Sequence, residues 1–309
     1  MIENLDSLPE SLDDHYELAD YIELRALVHP DKSYGRGELD STVRAIRATG
    51  ERVHDSADFW RESIAFVQDR IVAFGASYPF TLSADNDSIS LPEEEFSAAQ
   101  KLYLTLLICA NMRYLKRQGG YVQSVGRVFE ECSLEIFKKL MPQGSEIFPA
   151  WASGGTESRY QGSLFQKLTK ICSDIRGTPT FTERDFKAGD HGDGGIDIVS
   201  WHPMGDGRVS VPTALVQCGC SRDAWRVKLY SASPAALRNK LNVVHPWATY
   251  YFMPQDLRWL DGDWAYLSDF GDAIMVDRLR LTKLASQFGL ENDMPIGAHL
   301  DEAYALAIM

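Results

Sequence analysis

Gly189-Asp190-His191-Gly192-Asp193-Gly194-Gly195-Ile196-Asp197 runs straight into an apolar stretch, Ile198-Val199-Ser200-Trp201. Twenty residues after Asp197, a second apolar stretch, Leu215-Val216-Gln217-Cys218, carries an amide at its inner end. A glycine-rich turn that delivers an aspartate to the start of one strand, beside a glutamine on its neighbour, places an acid and a polar oxygen together. Such a pair suits a hard divalent cation. Mg²⁺ takes one or two carboxylates, keeps waters and completes its shell with substrate phosphate. A cation there offsets the charge of a phosphodiester and lowers the pKa of bound water, so the chemistry on offer is phosphodiester hydrolysis.

The elements that must hold these residues are legible as periodicity. Phe59, Trp60, Ile64, Val67, Ile71 and Phe74 recur at helical spacing over Ala57–Phe74. Ser90-Leu91-Pro92-Glu93 reads as a capping box that starts a helix running to about Lys116–Arg117, where Gly119-Gly120 ends it. Val122–Leu140 is a further helix, with Val125, Val128, Phe129, Cys132, Ile136 and Leu140 on one face. Trp151–Thr156, with Gly154-Gly155, is the expected boundary. Beyond it a helix over Gly162–Ile175 precedes short apolar runs at Ile196–Trp201, Ala214–Cys220, Thr249–Met253 and Ala273–Val276. Helical patterns over Pro234–Val243 and Arg278–Phe288 separate the later runs. Strands mixed with helices in this order indicate an α/β sheet with covering helices. The expected fold class is therefore α/β: a mostly helical N-terminal domain over 1–152 and an α/β domain over 153–309 with a mixed central sheet flanked by helices.

The chain has 309 residues and a net charge of −13. Residues 1–150 carry 25 acids and 15 bases, and residues 151–309 carry 19 acids and 16 bases. The second part therefore repels a polyanion far less than the total implies. The acidic helical part reads as a surface for a protein partner. Met1–Asp20 is acidic and has no signal-peptide pattern, and Leu102–Met112 is too short to span a bilayer, so a buried helix and no membrane association are expected. Five cysteines in apolar contexts argue against a disulfide framework and for a cytoplasmic protein. No G-x-x-x-x-G-K-[ST] loop occurs, which ranks a small-nucleotide phosphohydrolase last.

The order helix, Asp-bearing strand, Gln-bearing strand, helix, strand resembles the restriction-endonuclease-like (PD-(D/E)xK) nuclease superfamily. Within it, Gly192-Asp193-Gly194-Gly195-Ile196-Asp197 followed by Val216-Gln217-Cys218 is similar to the Mrr-like branch, which reads G-D-G-G-I-D and later Q-x-K. The resemblance spans roughly residues 157–290. It implies a restriction-endonuclease-like α/β domain and a metal-dependent endonuclease that hydrolyses DNA with Mg²⁺, or Mn²⁺ in its place. The role it implies is bacterial restriction or anti-phage defence. Asp197 matches the metal-binding aspartate and Gln217 the Glu-or-Gln position. The lysine should fall at Gly219, and this is the departure.

Lys228, nine residues further on, is the candidate replacement, with Arg222 and Arg226 as rivals able to clamp phosphate. Gly162-x-x-Phe165-Gln166-x-Leu168 resembles the family's G-x-x-F-E-x-L helix, so Gln166, or Glu157 just upstream, stands where an acid assists the metal. Gly194 and Gly195 would let backbone approach the sugar-phosphate chain. Asp193 could approach a second metal or the substrate, although Asp190 and Asp193 also suit a solvated turn. Cys218-x-Cys220 beside His191 and His202 invites a zinc reading, but small core residues under a sheet explain it better. Trp225, Trp247, Trp259 and Trp264 could stack on bases, with packing the usual role. Cutting both strands of a duplex would call for a homodimer or two sequential nicks. The missing lysine also motivates an alternative, a catalytically inactive nuclease fold acting as a nucleic-acid-binding or complex-assembly subunit.

Overall fold

The computed structural model describes residues 5, 7–9, 14–48, 55–115, 120–151, 159–187 and 189–296. Along the chain these form α1 (His15–Val28), β1 (Ser33–Gly35), α2 (Arg36–Ala48), α3 (Ser56–Phe74), β2 (Thr81–Leu82), β3 (Ser88–Ser90), α4 (Ala98–Ala110), α5 (Tyr121–Leu140), β4 (Glu146–Pro149) and α6 (Leu164–Asp174). There follow β5 (Thr178–Pro179), β6 (Ile198–Trp201), β7 (Thr213–Cys218), α7 (Trp225–Lys228), α8 (Pro234–Leu237), β8 (Leu241–Asn242), β9 (Ala248–Phe252), β10 (Ala273–Val276) and α9 (Arg278–Gln287). The fold is mixed α/β, with a five-stranded mixed sheet flanked by helices. Among the described residues no helix is long and apolar enough to cross a membrane.

Two compact units divide the chain, and they interleave in sequence. One comprises residues 1–129, 254–266 and 277–309; the other comprises 130–253 and 267–276. This differs from a division at 152/153, and two pairings explain why. β4, upstream of that point, pairs antiparallel with β6 and so belongs to the sheet. Asp256 and Arg278, far downstream, are tied to helices near the N-terminus.

In the first unit, Asp55 caps α3 by accepting from Ala57 N at 2.9 Å, and Phe59, Trp60, Ile64, Val67 and Phe74 are buried as their spacing requires. α4 starts later than Ser90-Leu91-Pro92-Glu93 suggested. Ser90 ends β3, paired with Ser33 of β1 and Thr81 of β2, and the capping box is Ser97 with Gln100. From Leu102 to Ala110, α4 is buried on every side. Beside it lies a wholly buried charge cluster. The Arg278 guanidinium makes two 2.8 Å bonds to the Asp20 carboxylate. Arg70 reaches Asp20 at 2.8 Å, Glu23 at 2.7 Å and Asp256 at 3.0 Å. The hydroxyls of Tyr78 and Tyr103 donate to Glu23 at 2.7 and 2.8 Å. Burial alone would raise the Asp20 carboxyl, but Arg278 and Arg70 hold it below the ordinary carboxylate range. Charges survive out of water only when paired in this way.

In the second unit the strand order is β10-β9-β7-β6-β4. β9 runs parallel to β7 and to β10, while β6 is antiparallel to β7 and to β4. Gln217 pairs with Tyr251 and Cys218 with Phe252, while Ile198 pairs with Val216. Because strand side chains alternate, Asp197, Gln217 and Tyr251 take one face and Cys218 and Phe252 the other. The first face is covered by α6, whose Leu168, Ile171 and Cys172 share a buried cluster with Val199 and Leu215. On the second face, the Phe137 ring of α5 lies 5.3 Å from Tyr250 and 6.1 Å from Phe252. The helix expected over Pro234–Val243 stops at Leu237, because Leu241 and Asn242 pair with Pro179 and Thr178 as β8 and β5.

Candidate functional site

The glycine-rich turn is held from inside. Gly192 N donates to Asp190 Oδ1 at 3.1 Å and Gly195 N to Asp193 Oδ1 at 2.8 Å, so both aspartates close Asx turns. Leu164 N at the start of α6 donates to Asp190 O at 2.8 Å. The buried Lys167 extends from α6 to donate to His191 O at 2.9 Å and Gly192 O at 3.3 Å. Gly194 and Gly195 have φ of +70° and +81°. Neither leaves open space: a β-carbon at Gly194 would lie 3.1 Å from Leu164 Cδ1, and one at Gly195 would fall on Ser231 Cβ. The two glycines let α6 and the segment after α7 close onto the turn.

The turn delivers Asp197, 3% exposed, to the start of β6. Its Oδ2 accepts from Gln217 Nε2 at 2.6 Å and from Cys218 N at 2.6 Å. Oδ1 accepts no hydrogen bond among the described residues. Gln217 Nε2 also donates to Cys218 O at 3.1 Å. Burial pushes the Asp197 carboxyl well above the ordinary range. The Asp193 carboxylate adds to this and the Cys218 N–H opposes it; Glu130 raises it further and Lys228 lowers it.

The structure therefore brings together Asp197 and Gln217 by direct contact, and Asp193 and Lys228 by electrostatic reach. Lys228 closes α7, is exposed, and its ammonium has no hydrogen-bond or ion-pair partner among the described residues. The other expected residues are engaged elsewhere. Gln166 is exposed and its Oε1 accepts from Ser163 N at 2.9 Å, completing the capping box of α6. Arg222 pairs with Asp223 at 3.0 Å. Arg226 pairs with Asp269 at 2.6 Å and stacks 4.6 Å over Trp225. Glu157 lies outside the described residues. Trp225 and Trp247 are buried, and Trp264 packs under Arg258 and Arg280.

Three residues at the site escape a reading of the motif. Glu130 on α5 adds negative potential at Asp197, and Ser133, one turn on, bonds the Cys218 thiol. Glu130, Ser133 and Phe137 recur at intervals of three and four, a second stripe that a search for the apolar face of α5 passes over. The third is Tyr251. A β-carbon at Gly219 would fall on its hydroxyl, and that hydroxyl is buried without a hydrogen-bond partner among the described residues. Tyr251 of β9 thus fills the space beside Gly219, where the resemblance would place a lysine.

All five cysteines are free. Among the described residues no three His, Cys, Asp or Glu side chains group closely enough to hold a metal by themselves. Two acceptor oxygens, Asp197 Oδ2 and Cys218 O, nevertheless converge on one point, which a hydrogen-bond donor fills. That convergence fits a cation that completes its shell with water and phosphate. Compared with protein-family models, with curated proteins and with solved structures, the chain shows no significant match.

Proposed function

We propose that this chain is a divalent-cation-dependent endonuclease that hydrolyses phosphodiester bonds in DNA, with a restriction-endonuclease-like domain of the Mrr-like kind. Bacterial restriction or anti-phage defence is the setting this reading implies. The observation that carries it is the arrangement around Asp197. Its carboxyl contacts Gln217 from the next strand and feels the charge of Lys228, whose ammonium has no hydrogen-bond or ion-pair partner among the described residues.

Asp197, the Cys218 carbonyl and the Gln217 side chain would hold Mg²⁺ or Mn²⁺, with Asp193 beside them. When bound, the ion supplies a lowered pKa for water and a counter-charge for phosphate. The residues of the chain do the rest. The Cys218 N–H holds the Asp197 carboxyl in place through Oδ2. Lys228 stabilises the negative charge that builds on the phosphoryl oxygens, the part taken by the motif lysine in the family. Lys167 keeps the turn, and with it Asp193, in register.

The test is cleavage of plasmid and single-stranded DNA by the full chain with Mg²⁺ or Mn²⁺, beside Asp197→Asn and Lys228→Ala. Loss of cleavage in both variants supports the reading and the relocated lysine. Loss in Asp197→Asn alone keeps the metal site and discards Lys228. Absence of cleavage by the unmodified chain favours the second reading, an inactive nuclease fold that binds nucleic acid or assembles a complex through its acidic helical part. The closure of the lysine position by Tyr251 favours that alternative.

A further inference from the structure

Many basic side chains of the sheet-bearing unit are neutralised in place. Arg159 and Lys170 pair with Asp174, Arg176 with Asp206, Arg222 with Asp223 and Arg226 with Asp269. Arg184, Lys187, Arg238 and Lys240 are different: their charged groups have no hydrogen-bond or ion-pair partner among the described residues. The fold gathers these four. Lys240 leads into β8, which pairs with β5 through Leu241–Pro179 and Asn242–Thr178. Thr180 closes that ribbon, its N–H donating to Lys240 O at 3.2 Å and its hydroxyl to Asn239 O at 2.5 Å. The chain then passes Phe181 and the turn Glu183–Asp185 to Phe186, and the Lys240 ammonium stands 6.0 Å from the Phe186 ring centre. Arg184 and Lys187 flank Phe186 in the chain and are exposed, as is Arg238.

Two acids share the turn, and Asp185 is drawn back onto Thr182, accepting from its N–H at 2.8 Å and its hydroxyl at 3.2 Å. With both acids charged, the four bases still leave a positive surface. From Ala224 to Gln255 the chain has four bases and no acid, in a protein of net charge −13. These cations surround aromatic rings. Half-buried Phe181 and Phe186 lie 5.3 Å apart between ring centres, and Phe165 of α6 lies 6.0 and 5.9 Å from them. The cluster also adjoins the turn that ends in Asp197: Asp190 N donates to Lys187 O at 3.1 Å, and Leu164 N, beside Phe165, donates to Asp190 O. Unpaired cations set among aromatic rings suit an unpaired strand, whose phosphates meet the cations and whose free bases stack on the rings. A duplex keeps its bases stacked on one another and offers the rings nothing.

We propose that Arg184, Lys187, Arg238 and Lys240, set around Phe181 and Phe186, form a binding surface for single-stranded DNA beside the glycine-rich turn. This rests on the nuclease reading above for its substrate class and adds the form of strand that the protein holds.

Fluorescence anisotropy of a labelled oligothymidylate with the full chain, in a chelator that prevents cleavage, tests this. Four phosphate contacts give a slope of log affinity against log salt of about −3, or a loss of about fiftyfold between about 50 and 200 mM. Arg184→Ala with Lys187→Ala, and Arg238→Ala with Lys240→Ala, should each weaken binding at least about tenfold at low salt and bring the slope about halfway to zero. Phe186→Leu keeps an apolar side chain without a ring face, and should weaken binding at least about fivefold with the slope unchanged. Lys139→Ala, at an exposed position of α5 on the other face of the sheet, should change neither. The oligothymidylate annealed to its complement should bind at least about fivefold more weakly than alone. No binding by the unmodified chain, an unchanged slope in either double variant, or equal binding of the duplex overturns the proposal. The nuclease reading fails separately. Binding that the double variants weaken, with no cleavage of any DNA once Mg²⁺ or Mn²⁺ is supplied, keeps the surface and removes the hydrolysis. Cleavage of single strands that both double variants perform as well as the unmodified chain overturns the surface and leaves the nuclease.

Discussion

The hydroxyl of Tyr251 occupies the space that a side chain at Gly219 would need. Gly219 follows the last residue of β7, and Tyr251 lies on the neighbouring parallel strand β9, opposite Gln217 in register. Gly219→Ala should therefore overpack the sheet and cost about 1–3 kcal/mol. In a Tyr251→Ala background the same change should cost little, and urea unfolding of the four proteins gives the coupling directly. Tyr251→Phe should be at least as stable as the unmodified chain, because it removes a buried hydroxyl that has no partner among the described residues.

Asp197 gives stability a pH dependence of unusual sign for a carboxylate. Burial, then Asp193, pushes its folded-state value above that of the unfolded chain. The folded protein therefore holds the proton more tightly. The stability this contributes is complete below the unfolded carboxylate value, near pH 4, and is lost as pH rises from there toward the folded value. Asp197→Asn keeps an acceptor for Gln217 and Cys218 and carries no charge. It should match the unmodified protein near pH 4 and exceed it near pH 7, with the gap growing by at most about 1.4 kcal/mol per pH unit. Urea midpoints of the two proteins across that range check this, and a gap that shrinks with rising pH refutes it.

How much of this was legible in the sequence depends on the range of the interaction. The turn, the two strands and the Asp197–Gln217 pairing follow from residues within a short stretch, where glycine, Asx chemistry and period-two burial are local signals. α5 and α6 were visible as periodic stripes for the same reason. The edge strand β4 was not, since Glu146-Ile147-Phe148-Pro149 is too short to show alternation and is a strand only because β6 offers a partner. α4 starts later than its sequence suggests, because Ser90-Leu91-Pro92-Glu93 imitates a cap while Ser90 is taken by two strands. Gln166 stands where the resemblance would put an acid but spends its side chain on Ser163, a local bond that a motif match ignores. Tyr251 was invisible because a glycine signals that something approaches closely, not what does.

Lys167 should prove more important to the turn than any of its aspartates. Its buried ammonium satisfies two backbone carbonyls, His191 O and Gly192 O, that the Asx bonds leave open. Lys167→Met keeps the volume and removes both bonds. Bonds from a charged donor contribute about 1.5–3 kcal/mol, so a loss of that order is expected in urea unfolding. Amide exchange should rise across 189–196 more than across α6 itself. Protection of the turn that is unchanged in this variant would show that the glycine conformations alone suffice.

Arg278 should be indispensable to the helical unit although it lies near the other end of the chain. It opens α9, and its guanidinium meets the Asp20 carboxylate of α1 through two 2.8 Å bonds while a third reaches Pro254 O at 2.8 Å. Arg278→Met leaves Asp20 buried with Arg70 as its remaining cationic neighbour, in a cluster already crowded with acids: Glu23 and Asp256 share that same guanidinium. Breaking one side of a buried pair costs about 3–5 kcal/mol, a large fraction of the stability of an ordinary domain. Replacing both partners is a different matter, because an apolar pair of similar volume carries no uncompensated charge. Asp20→Leu combined with Arg278→Met should therefore recover much of what Arg278→Met loses, even though it removes a second polar group. Thermal unfolding of the single and double variants decides this. A double variant no more stable than Arg278→Met would mean that Arg70, Glu23 and Asp256 cannot close around the altered pair, and that the cluster holds together only as a whole.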